Sequence, residues 1–373
     1  MRLSMALLVS ILLTSTSAFP QANGASSGSM TFTTVDKSAD PCADFYQYSC
    51  GSWIKSAKIP PDQGAWGTFL ELAERNRETL KEILEKAAAD SPHPNPIDQK
   101  IGDYYASCMD EQAADSKGLA PLKTELDRIA AVRDKQGLMD AIARVHLIAG
   151  NPLFRFYSQS DLHNANQVIA YIDQGGLTLP DRDYYIKDDA HMAEIRGGLE
   201  KYATSLFVLR GQSEEEAAGS AKTVLRIETA LAKASMDRTA RRDPKTRDHK
   251  MGLDEASRLA SNFNLNRYFA ALDAPSFSEL NVANPEFFKQ VNQLLDEEPL
   301  DAWKTYVTWH LLDGAAPWLS QPFVDANFKM QQALSGQKEI KPRWKRCVAS
   351  VDEELGEALG ERYVDLTFGA EGK

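Results

Sequence analysis

Four cysteines constrain this chain more than any other feature: Cys42 and Cys50, eight residues apart in DPCADFYQYSCGSW, and then Cys108 and Cys347. What they can do depends on the redox compartment, which the N-terminus addresses. Arg2 is a short basic region, residues 6–13 are an apolar run, and Ser15, Thr16, Ser17 and Ala18 are the small residues a signal peptidase needs. That is the pattern of a secretory signal cleaved after Ala18. The apolar run falls well short of the roughly 20 residues that span a bilayer. Residues 1–18 are therefore expected to be a signal peptide and residues 19–35 a flexible leader. The mature protein is expected to be exported, periplasmic or extracellular, with no membrane span after cleavage. In such a protein cysteines read first as disulfides, and four of them permit three complete pairings, among which the spacing does not choose. No Cys-x-x-Cys occurs, which speaks against a zinc knuckle or a thioredoxin-like site.

A mature chain of about 350 residues can bury a large core as one domain or two. The formal net charge of −11, without a basic run or arginines alternating with aromatics, excludes nucleic acid as a partner. Apolar residues recur at helical spacing from Trp66 to Ala89, and three prolines in DSPHPNP (90–96) end that helix. A second helix carries Ile97, Ile101, Tyr104, Tyr105, Cys108 and Met109 on one face, so Cys108 faces the core and suits a structural disulfide better than a reactive thiol. A further helix is expected over 137–149. PLFRFYSQS (152–160) and QVIAYID (167–173) read as a β-hairpin around the turn DLHNAN. Helices are expected again at about 189–210, 213–236, 285–296, 300–313, 322–334 and 342–366, with ARRDPKTRDHK (240–250) as an exposed loop. The fold class is mainly α, a large helical domain with a small β-hairpin.

Catalytic machinery is hard to find. A zinc hydrolase presents His-Glu-x-x-His, with two imidazoles one helical turn apart and a glutamate to activate the metal-bound water. None of the six histidines (His93, His146, His163, His191, His249 and His310) has a second histidine four residues away. His310 with Asp313 reads as a helix feature rather than a metal pair, and His146, on an apolar stripe with Ile142 and Ala143, as a satisfied core histidine. Glu71, Glu74 and Glu78 read as a solvated helix face. There is no Gly-x-Ser-x-Gly elbow and no phosphate-binding glycine loop. In LTLPDRDYY (177–185), Asp181, Arg182 and Asp183 suit a tight turn with the two tyrosines packing inward.

Several stretches together resemble the neprilysin family of exported zinc metallopeptidases. They are DPCADFYQYSCGSW, IPPDQGAWGTFLELAERNRETLKEIL, QKIGDYYASCMDE, QGGLTLPDRDYY, ETALAKASMDRTARRDP and LSGQKEIKPRWKRCVASVDEELGEALGERYV, in that order. The resemblance runs from Asp36 to Phe368, as the family's N-terminal helical domain, and residues 369–373 are expected as a truncated tail. It implies a cap that limits substrates to peptides small enough to enter a cleft. The thermolysin-like catalytic domain of such enzymes, about 250–300 residues, carries His-Glu-x-x-His, a downstream Glu-x-x-x-Asp and an Asn-Ala pair. None of this is expected in the present chain, so no catalytic or metal residue is assigned, and zinc is expected only with that missing domain.

By the same resemblance Cys108 pairs with Cys347, while Cys42 and Cys50 pair with cysteines late in the catalytic domain and are left unpaired here, as ties between the halves. The expected partners are peptide substrates, reached through a catalytic half, and a catalytic-domain partner joined through Cys42 and Cys50. An arginine and an aspartate that some animal members use on a substrate's C-terminal carboxylate correspond to Ala65 and Leu70, so a dipeptide-releasing preference does not carry over. Taken alone, the chain is expected to be inactive. The alternative is a non-catalytic secreted module that binds peptides, with Cys42 bonded to Cys50.

Overall fold

A computed structural model describes residues 34–89, 95–369 and 372. The expected signal peptide, nearly all of the expected leader and residues 90–94 of the proline loop lie outside the described residues. The chain divides into two compact units, Met1–Lys58 with Glu361–Lys373, and Ile59–Gly360.

The smaller unit is built on α1 (Phe45–Ser56), opened by the Asp44 carboxylate, which accepts from Gln47 N at 2.8 Å. Asp36, almost fully buried, accepts from Ser38 N at 3.0 Å and Lys55 Nζ at 2.7 Å. Gly51 sits against it, because a Cβ there would lie 2.7 Å from Asp36 Cβ.

In the larger unit, α2 (Thr68–Ala89) packs on α3 (Pro96–Met109). The pair approach closely at Gly102, where a Cβ would lie 2.5 Å from the Ala87 carbonyl oxygen. Short helices α4 (Glu111–Lys117) and α5 (Lys123–Ala130) lead to α6 (Lys135–Ile148), capped by Asp134. The hairpin follows as β1 (Phe154–Asp161) and β2 (Asn164–Gln174), with a register shift at Ser160/Asp161. After it come α7 (Asp183–Ile186), α8 (Ala190–Leu209) and α9 (Glu214–Ala234), the last opened by a capping box of Ser213 and Glu216.

The hairpin is only half of the sheet. β3 (Lys250–Gly252), α10 (Leu253–Leu259), α11 (Leu265–Ala271) and β4 (Glu279–Val282) follow, giving the strand order β1-β2-β4-β3. β4 runs parallel to β2 and antiparallel to β3. The stretch 240–250 is thus not a plain exposed loop. It forms two 3-10 turns and enters β3, and Arg241 and Arg247 reach inward to the buried Asp173 at 2.7 and 3.2 Å. The unit closes with α12 (Pro285–Glu297), α13 (Leu300–Ala315), α14 (Gln321–Ser335) and α15 (Arg343–Thr367). α15 is kinked at Leu355 and extends into the smaller unit's segment.

Among the described residues, three apolar clusters hold these elements. The largest joins the sheet to α6, α11, α12 and α13 around Phe154, Tyr268, Phe287 and Trp303. A second packs α8, α9 and α14 on α13 around Leu206, Phe207 and Trp309. The third packs Leu84, Ile101 and Tyr105 on Cys347, Val348 and Val351. The fold is mainly helical with one small sheet.

Candidate functional site

The third cluster is cross-linked. Cys108, at the end of α3, is bonded to the fully buried Cys347 in the first turns of α15. Backbone and side chains support the junction, since Arg343 Nε donates to the Cys108 carbonyl at 2.6 Å and the Tyr104 and Ser350 hydroxyls meet at 3.0 Å. In the smaller unit Cys42 is an exposed free thiol and Cys50, on α1, a half-buried one. Neighbouring aromatic residues on α1 are bare, with Phe45 69% and Tyr46 68% exposed.

A cavity of about 470 Å³ opens elsewhere, in the larger unit. Residues 174–182, leaving β2, form one wall and residues 235–241, leaving α9, the other. The Gln174 side chain fastens the two together, donating to the Met236 carbonyl at 3.0 Å and accepting from Met236 N at 2.7 Å. Arg182 Nη1 adds a 2.6 Å bond to the Ser235 carbonyl, and Arg238 pairs with Asp181. Gly176 takes a left-handed φ of 73° where Tyr306 Oη donates to its carbonyl at 2.8 Å.

The floor comes from α13, whose His310, Asp313 and Gly314 face the cavity. Close packing makes this possible, because a Cβ on Gly314 would fall 1.4 Å from the Ala149 carbonyl oxygen. Behind them Glu228 of α9 is wholly buried and accepts from Thr178 Oγ1 at 2.7 Å, Tyr185 Oη at 2.5 Å and Trp309 Nε1 at 3.2 Å. Burial pushes its carboxyl up to about 7 despite those donors. Burial likewise pushes Asp313, bonded to Tyr202 Oη at 2.9 Å, up to about 6. It pushes the His310 imidazole down to about 3. That ring is neutral near pH 7, so its 3.5 Å approach to Glu228 is not an ion pair.

The motif LTLPDRDYY therefore has two roles. Its turn is real, with Asp181 accepting from Asp183 N at 2.7 Å and Tyr185 buried, yet Asp181 and Arg182 also line the cavity. His310 and Asp313, read from sequence as an ordinary helix pair, share that cavity. Glu228 went unnoticed, although its signal was legible: a carboxylate between Val224, Ile227 and Leu231 on an apolar stripe. His146 is a core histidine, bonded to Tyr268 Oη at 2.5 Å and the Pro152 carbonyl at 2.7 Å, with burial pushing it down to about 4. Glu74 is no solvated residue. It pairs with Arg77 and, at 2.7 Å, with Lys345, which also holds the buried Asp62 at 2.8 Å. Where the resemblance calls for substrate-binding charges, Ala65 is exposed and Leu70 stands beside Phe69, which is 88% exposed.

Among the described residues no group of three histidines, cysteines, aspartates or glutamates is placed to hold a metal ion. His310, Glu228 and Asp313 do not fit zinc, because the donors of Tyr185, Thr178, Trp309 and Tyr202 already occupy the two carboxylates. No helix among the described residues is long and apolar enough to cross a membrane.

Known proteins share this architecture. Endothelin-converting enzyme 1 of Mus musculus is 31% identical over 351 residues, covering 91% of this chain and 45% of that protein. Neprilysin-3 of Drosophila melanogaster is 30% identical over 361 residues, covering 91% and 46%. The crystal structure of Mycobacterium tuberculosis zinc metalloprotease ZMP1 in complex with an inhibitor superimposes with a TM-score of 0.85 at 26% identity, over 91% of this chain and 52% of that one. The chain thus spans about half the length of the relatives it matches. The model for the N-terminal domain of peptidase family M13 matches residues 41–373, and the chain belongs to that family.

Proposed function

We propose that this chain is the cleft-capping, size-selecting half of an exported zinc metalloendopeptidase, acting on peptides together with a catalytic half. One observation carries the reading: the chain aligns along nearly its whole length with half of zinc metalloprotease ZMP1 and carries no His-Glu-x-x-His of its own. Bare apolar side chains support it. Phe69 and Leu72 at the start of α2, and Phe45 and Tyr46 on α1, are large hydrophobic residues of the kind that a partner surface covers. Cys42 and Cys50 are the proposed covalent ties, and the exposed thiol of Cys42 suits that role.

The test is an assay of the purified chain against a pool of short peptides, alone and joined to a segment bearing His-Glu-x-x-His. The chain alone is expected to cleave nothing, and the joined protein to cleave short peptides until a chelator is added. Chelator-sensitive cleavage by the chain alone overturns the reading.

A further inference from the structure

The cavity between residues 174–182 and 235–241 is lined by four arginines, Arg155, Arg182, Arg238 and Arg241, against two aspartates, Asp181 and Asp313. In a chain whose formal net charge is −11, such a gathering of cations is unusual. Much of it is already engaged. Arg241 holds Asp173, Arg238 holds Asp181, and Arg182 reaches the Ser235 carbonyl. Arg155 is different. It projects from β1 opposite Asp173, on the sheet face away from Phe154 and Phe156, and among the described residues its guanidinium makes no ion pair or hydrogen bond. Behind it Arg182 and Arg241, both half-buried, line the same cavity, each with part of its guanidinium engaged. A cavity wall rich in guanidinium groups, one of them unengaged, indicates the chemistry it is shaped to receive.

We propose that this cavity is a receptor for a small organic carboxylate, gripped at its mouth by the Arg155 guanidinium with Arg182 and Arg241 behind. Planar guanidinium forks match a carboxylate's two oxygens, and 470 Å³ lies within the range of small-molecule sites. The aspartates in the wall, Asp181 and Asp313, disfavour a phosphate, which gathers both its charges on one head, against a carboxylate group, which brings a single charge to the arginines. The carboxylate could be carried by a peptide end or by a free dicarboxylate, and the cavity chemistry is the same for both. The inference does not depend on a catalytic half.

Isothermal titration of the whole chain at low ionic strength tests it, with N-acetyl-dialanine, its C-terminal amide, succinate and inorganic phosphate as probes. One or both carboxylates are expected to bind, and the amide not. Tighter binding of N-acetyl-dialanine identifies peptide ends as the source, and tighter binding of succinate a free dicarboxylate. Arg155→Gln is expected to weaken carboxylate binding about tenfold, the worth of one charge-assisted contact, without moving the melting temperature. Arg155→Lys, which keeps the charge but loses the planar fork, gives a second reading if the first variant does not fold. Absence of binding by both carboxylates, phosphate binding as tight as theirs, or undiminished affinity in the folded arginine variants overturns the proposal.

Discussion

Replacing Cys108 and Cys347 together by alanine removes the cross-link while leaving its surroundings in place. The bond closes a loop with a sequence separation of 239 residues. In the chain-entropy treatment the stabilisation grows with the logarithm of loop length, which gives about 5 kcal/mol at this separation. The native side of the balance changes less. Cys347 loses a sulfur inside the cluster of Leu84, Ile101, Tyr105 and Val351, but Arg343 still bonds the Cys108 position through its carbonyl, and Tyr104 still meets Ser350. The loss should therefore fall mainly on the unfolded ensemble. With a urea dependence of about 3 kcal/mol per molar, a midpoint shift of about 1.5 M is expected. Urea unfolding of the wild type, of the wild type with reductant and of the double variant measures it, and the last two should coincide. A shift below about 0.4 M, in a wild type whose peptide map shows the bond formed, would refute the loop-closure argument.

Three further changes probe other parts of the larger unit. Lys345→Met leaves Asp62 and Glu74 facing each other with their shared cation gone, and should cost about 3 kcal/mol in urea unfolding. A cost under about 1 kcal/mol would mean the carboxylates are solvated after all. Gly314→Ala forces a methyl into the Ala149 carbonyl and should cost about 3 kcal/mol or abolish folding, read as the melting temperature of the variant. An unchanged melting temperature would contradict the close approach of α13 to that backbone. Glu228→Gln removes a carboxyl that holds its proton to about pH 7 in the folded chain and to only about 4.5 when unfolded. A folded pKa above the unfolded one means that this group's stabilisation is complete below about pH 4.5 and is lost as pH rises through about 7. Relative to the glutamine variant, the wild type should therefore lose up to about 3 kcal/mol between pH 4.5 and 8. A gap that stays flat across this range rules out the raised carboxyl.

The parts of the fold legible in the sequence are those with enough residues to show a period. α2, α3, α8 and α9, and the helices from α12 onward, each carry an apolar stripe over three turns or more, and prolines or capping residues punctuate their ends. The hairpin showed itself by its change of period. β3 and β4 have only three and four residues, too few for alternation to register, and β4 joins the sheet through a parallel pairing that no local pattern announces. The short helices α4, α10 and α11 escaped for the same reason. The cavity was illegible for a different reason. Its arginines come from β1 and from two segments more than fifty residues apart, and each looks solvated in its own neighbourhood. Glu74 misled in the same way, because its partner Lys345 lies on α15.

We propose that this chain works as one half of a peptidase, and its native size bears on that first. The most direct test is the intact mass of the native protein, measured before and after reduction. A product well above the 41.3 kDa of this chain is expected. If reduction brings it down to this chain, the halves are tied through Cys42 and Cys50. If the larger mass survives reduction, the two halves are one polypeptide. A native product with the mass of this chain less residues 1–18, before and after reduction, would contradict the claim.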